Sequence, residues 1–188
     1  RHAAPVPTSA SVHRALPVVA LALALLTGVA IVAIDQPVAR ALATVEPAGF
    51  WRTWLRALDR STGWLVWKWL PTVIVVAVAA IAWLAPPLRR AARGLTLVAA
   101  VHVATKLILL YSKPELGRLR PSEWLARGGD HTFFFAKGIA FPSGHTSQYL
   151  SIALPLAVAW PRLGLPLLAV PVFASASRLA ANAPVVSA

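Results

Sequence analysis

The residues best suited to chemistry gather between positions 112 and 146. Lys113, Arg118, Arg120, Arg127, Lys137, His131 and His145 all fall in this one stretch. Two details distinguish it from positive charge scattered over a solvated loop. Lys113 is followed by Arg120-Pro121, and Pro142-Ser143-Gly144-His145 opens the next apolar run. A Ser-Gly turn at the start of a helix presents backbone N–H groups and the positive end of the helix dipole, a combination that takes up phosphate. Lysine adds a compact charge and arginine a planar fork matched to phosphate oxygens. His145, next to the turn, is placed to give a proton to a leaving oxygen. The chemistry this predicts is the grip and cleavage of a phosphate group.

The elements that must carry these residues are apolar. Of 188 residues, 58% are hydrophobic and 13% charged, with 18 Lys+Arg against 6 Asp+Glu, a formal net charge of +12. Soluble domains carry about a quarter charged residues, so the composition fits a membrane protein and excludes intrinsic disorder. The lack of cysteine excludes disulfides and thiolate metal sites. The basic residues are mostly Arg scattered between apolar stretches, without the dense run of a nucleic-acid module, which leaves lipid surfaces and phosphate substrates as partners.

We expect an all-α, polytopic bundle of about five membrane-spanning helices. The stretch 17–34 is uncharged and reads as the first; its alternative is a signal-peptide core, with Asp35-Gln36-Pro37 a poor cleavage site. Leu70 to Ala85, or a longer stretch that begins at Trp64, is the second, bounded by Trp64, Trp67, Trp69 and Trp83 as an aromatic belt. Pro86-Pro87 stops it, and Arg89, Arg90 and Arg93 crowd the connection 86–93. Gly94 to Tyr111, Ser147 to Trp160 and Leu163 to about Ala176 are the others, the last two containing Pro155, Pro166 and Pro171. Between the first two spans, Trp51, Trp54, Leu55 and Leu58 follow a helical stripe, with Arg52, Arg56, Asp59 and Arg60 opposite. This predicts an amphipathic helix at the membrane interface, or else a packing helix beside it. Arginines in 86–93 and a basic tail, 1–16, put both on the cytoplasmic side and 112–146 outside.

Other polar residues read more simply. His102, mid-span, is expected to be a hydrogen-bonded interior histidine. Lys106, seven residues before Lys113 and on about the same face, either serves the site or snorkels outward. His131 reads as a loop residue, and Phe133-Phe134-Phe135 as a dip into the interface or a contact for a lipid tail.

The motifs resemble those of the type 2 phosphatidic acid phosphatase family (PAP2), related to vanadium haloperoxidases. Its K-x6-R-P is matched from Lys113 to Pro121, its P-S-G-H from Pro142 to His145, and Ser177-Arg178 opens its S-R-x5-H-x3-D. The resemblance covers roughly 64–188. It implies that Lys113, Arg120 and Arg178 hold the phosphate and stabilise charge in the transition state, with Arg178 counted among the catalytic residues. Ser143 and the Gly144 N–H would add hydrogen bonds, and His145 would be the general acid. It also implies hydrolysis without a metal or other cofactor. The chain departs from the pattern where the nucleophilic histidine and its aspartate belong: Pro184 and Ala188 stand there. The family's sixth span is expected to be absent as well.

The resulting expectation is a flexible basic tail, 1–16, and a PAP2-like membrane domain, 17–188, cut short at the third motif. We expect an integral protein of a bacterial cytoplasmic membrane, with its site on the outer face. Its substrate would be a lipid phosphate: phosphatidate, phosphatidylglycerol phosphate or polyprenyl diphosphate, hydrolysed through a phosphohistidine. Its alternatives are a PAP2-like protein that binds lipid phosphate or regulates a partner without turnover, and a structural or transport bundle in which the motifs are relics.

Overall fold

The computed structural model describes residues 18, 21–22, 25–43, 49–61, 66–129 and 132–181, leaving out the side chains at 32, 42, 43, 52, 55 and 178–181. The expected tail 1–16, Trp64, His131, Pro184, Ala188 and the side chains of Arg52 and Arg178 lie outside the described residues. Among the described residues the protein is all-helical, without strands.

The chain divides into two compact units, Arg1–Leu42 and Ala43–Ala188. In the first, the helix runs on past Ile34, where the expected span 17–34 stops. A π-helical turn at Ala30–Ile34 passes directly into α1, Asp35–Ala43. The wide turn, with the Asp35 N–H on the Ala30 carbonyl, comes just before a proline that cannot donate, so the helix continues.

The second unit contains α2 (Gly49–Ser61), α3 (Leu70–Leu84), α4 (Arg89–Leu116), α5 (Pro121–Ala126), α6 (Gly144–Ala159), α7 (Pro161–Leu167) and α8 (Ala169–Ala181). Helix α4 is longer than the expected span 94–111. Arg89, Arg90 and Arg93 belong to its first turns rather than to a loop, and the connection from α3 shrinks to Ala85 and a short 3-10 turn, Pro86–Leu88. At about 1.5 Å per residue its 28 residues reach roughly 42 Å, more than a hydrocarbon core of about 30 Å. The helical stretch Pro86–Ala126 is long and apolar enough to cross a membrane, whereas Leu70–Leu84 and Pro161–Ser177 are shorter apolar helices.

Helix α6 lies at the centre, packed on α4, α7 and α8; α3 lies against α4, and α2 against α8. Small residues make these contacts: Ala79, Ala82, Ala92, Ala99, Ala153, Ala157 and Ala174 are buried. A Cβ on Gly164 would stand 2.1 Å from Ala157 Cα, so α7 can approach α6 only through a glycine. Large apolar side chains such as Ile81, Ile108, Val158, Leu163 and Val172 point outward instead. Small residues inside and large apolar ones outside are what helices packed in lipid use.

Helix α2 is the packing helix rather than a free interfacial one. Trp54 meets Phe173 of α8 edge-on, with ring centroids 6.1 Å apart, and Asp59, expected on the outer polar face, is buried.

Candidate functional site

The end of α4 is set by Gly117, whose left-handed conformation (φ 52°) lets its N–H close on the Lys113 carbonyl at 3.0 Å. Lys113, in that last turn, donates from Nζ to the Ile139 carbonyl at 3.1 Å. The residues after it are laced to the segment that leads into α6. Phe135 N–H donates to the Leu116 carbonyl, Ala136 and Gly138 N–H to Gly117, Ala140 N–H to Arg118, and Leu119 N–H to Phe133, all at 2.8–3.0 Å. Gly138 permits this approach, because a Cβ there would stand 2.1 Å from the Arg118 carbonyl oxygen.

This segment has its own small core. Trp124 is buried and stacked on Phe133 at 4.5 Å. The Arg118 guanidinium lies 5.2, 5.4 and 5.6 Å from the rings of Phe133, Phe134 and Phe141. The three phenylalanines therefore do not dip together into an interface: Phe133 is buried, Phe134 half-buried, and Phe135 alone is exposed. Arg120 is the exposed N-cap of α5, its N–H held by Glu123 Oε2 at 2.9 Å.

A cis Phe141-Pro142 bond leads to Ser143, the N-cap of α6. Ser143 Oγ accepts from the Thr146 N–H at 3.5 Å, and Gly144 begins the helix. The first turn of a helix directs N–H groups that its own carbonyls cannot satisfy. Thr146 Oγ1 and Ser175 Oγ, 3.0 Å apart, tie this turn to α8. Ser177 is buried and donates back to the Phe173 carbonyl at 2.7 Å. Position 178 follows Ser175 by three residues on α8, so the opening of the third motif lies one turn beyond that tie.

His145 faces α2. Its Nε2 is 3.1 Å from Asp59 Oδ1 and 3.2 Å from Oδ2. Tyr149, one turn further along α6, donates its hydroxyl to Asp59 Oδ1 at 3.3 Å. The sequence singled out neither Asp59 nor Tyr149 as a site residue. A signal for Tyr149 was present, since i and i+4 share a helix face. For Asp59 the one hint was an acid among the arginines of α2, in a chain with six acidic residues.

Two polar residues singled out in the spans turn inward. His102 is fully buried, with Thr72 Oγ1 3.1 Å from Nε2 and Ser151 Oγ 2.7 Å from Nδ1. Lys106 does not snorkel: it is buried and donates to Gln148 Oε1 at 2.7 Å.

The family model described as PAP2 superfamily matches residues 91–187. The match spans more than half of the chain and includes the first two motifs and the Ser177-Arg178 opening of the third. No curated protein and no solved structure is similar enough to the chain to match it. The chain belongs to the PAP2 superfamily, whose members are phosphatases and related hydrolases.

Proposed function

We propose that this chain is a membrane-embedded phosphatase domain acting on a lipid phosphate, either a phosphate ester or a diphosphate. The observation that carries the reading is the laced segment between α4 and α6. Through it Lys113, Arg120, Ser143, Gly144 and His145 belong to one end of the bundle, and the tie between Thr146 and Ser175 brings position 178 to that end. Lys113, Arg120 and Arg178 hold the phosphate oxygens, and the Ser143-Gly144 turn adds helix N-terminal donors. As negative charge builds on the phosphoryl oxygens, these cations stabilise the transition state more than the ground state. His145 gives a proton to the departing oxygen.

A lipid rather than a soluble phosphate is favoured by what surrounds Lys113. Ile139, whose carbonyl it holds, is 58% exposed and Phe135 is 78% exposed. Apolar surface beside a phosphate-binding cation suits an acyl or prenyl tail. The outward apolar faces of α3, α4, α6 and α8 support a polytopic bundle, and Arg89, Arg90 and Arg93 at the opposite end of α4 favour an orientation with this end on the outer side of a bacterial cytoplasmic membrane. Cysteine accessibility tests the orientation: in this cysteine-free chain, Thr132→Cys labels from outside and Arg90→Cys from the cytoplasm, and the reverse pattern contradicts the orientation.

Pro184 and Ala188 favour a second reading, a PAP2-like module that binds lipid phosphate without turning it over. Phosphate release by the protein in nanodiscs, from phosphatidate and from polyprenyl diphosphate, separates the two. Release that disappears in His145→Ala supports the enzyme. Phosphate-dependent lipid binding without release supports the module. Neither binding nor release contradicts both.

A further inference from the structure

We infer that Asp59 is a positioning residue for His145: it accepts the Nε2–H, fixes the ring and stabilises it in its proton-donating form. The inference deepens the proposed function and rests on it for the reaction, but not for the pairing. Asp59 is 7% exposed. A carboxylate persists at such a place only when donors compensate for lost water. Two donors to it come from α6, His145 Nε2 and the Tyr149 hydroxyl, one helical turn apart. The carboxylate is thereby aimed at the face of α6 that carries His145, and the packing of Trp54 on Phe173 seats α2 for this.

An ionised carboxylate only accepts hydrogen bonds, so the shared proton resides on Nε2. That selects one tautomer and leaves chemistry at the phosphate to Nδ1. In the hydrolytic step the bond from phosphorus to the leaving oxygen breaks, and its electron pair goes to that oxygen. The oxygen takes the Nδ1 proton of the imidazolium, while a water oxygen forms the new bond to phosphorus and both of its protons leave on the released phosphate. His145 ends neutral, its Nε2–H still given to Asp59. The family's own carboxylate would stand in the third motif, four residues after a different histidine. Asp59 lies 86 positions before His145 and serves the second motif.

The competing explanation is that Asp59 merely pins α2 to α6. Two leaving groups distinguish them. An alkoxide leaving from phosphatidate needs a proton, whereas the phenolate of an alkyl-substituted nitrophenyl phosphate leaves without one. Asp59→Asn is expected to lower kcat on phosphatidate on the order of 10–100-fold, part of what a general acid contributes, with KM within about twofold. On the nitrophenyl ester the loss should be below about threefold, and Asp59→Glu should recover part of the loss on phosphatidate. Equal losses on both substrates would overturn the inference. Nitrogen-15 histidine spectra of the wild-type protein, with His145 assigned by His145→Gln, give a second reading that needs no variant of Asp59 to fold. The Nε2–H form supports the pairing and the Nδ1–H form overturns it. If no substrate is turned over, the proposed function fails and the spectrum alone decides the pairing.

Discussion

Along α6, His145 and Tyr149 face Asp59 of α2, while on a neighbouring face Gln148 and Ser151 face Lys106 and His102 of α4. Each cluster is built around a histidine, and the surroundings give the two rings different capacities. Ser151 donates its hydroxyl to the Gln148 carbonyl at 2.8 Å, so it accepts from His102 Nδ1–H, and Nε2 accepts from Thr72. Both ring nitrogens of His102 are thus committed to hydroxyls in a sealed interior. His145 stands at the first turn of its helix, partly exposed, with a carboxylate at one nitrogen. A histidine with two neutral partners and no exposure holds helices together; one with an anionic partner beside a phosphate-binding turn can move a proton.

The sharpest way to break this contrast is to remove each histidine in turn. His145→Ala should reduce phosphate release by on the order of 10²–10⁴-fold, the usual contribution of a general acid, while lipid-phosphate affinity falls far less. Steady-state release and equilibrium binding in nanodiscs read the two effects separately. Next in size is the lacing itself. Gly138→Ala puts a methyl group on the Arg118 carbonyl and should weaken phosphatidate binding roughly tenfold, because overpacking of about 1–3 kcal/mol must displace the segment that holds Lys113. The smallest effect on activity belongs to the interior cluster. His102→Leu leaves Thr72 and Ser151 without their ring partner and should lower stability by about 1–3 kcal/mol, seen as a lower Tm in detergent, with kcat/KM within about twofold. A large loss of turnover at unchanged Tm would erase the distinction between the two histidines.

The motif residues and the long helix were legible because their signals are local. A K-x6-R-P at the end of an apolar run and a Ser-Gly-His at the start of another state both chemistry and place. The interior role of His102 followed from its mid-span position. Asp59 was not legible. Helical periodicity assigned it to the polar side of α2, and only tertiary packing shows that this side meets α6, 86 positions away. The Phe133–Phe135 run misled for a similar reason. Aromatic residues near a membrane read as interfacial, but two of these line a core whose other members, Arg118, Trp124 and Phe141, are separated from them in sequence. The expected span 17–34 stopped short of the helix because a π turn, which carries the helix on past Ile34, leaves no sequence signature.

The claim on which both the enzyme and the binding module depend is that this end of the bundle holds a lipid phosphate. Equilibrium binding of short-chain phosphatidate tests it, with the matching diacylglycerol as control, to the wild-type protein and to Arg120→Ala in nanodiscs. A charge-assisted hydrogen bond of about 1.5–3 kcal/mol predicts affinity lost by roughly 10–150-fold in Arg120→Ala, and little binding of diacylglycerol by either protein. Equal affinity of the two proteins for phosphatidate would contradict the account.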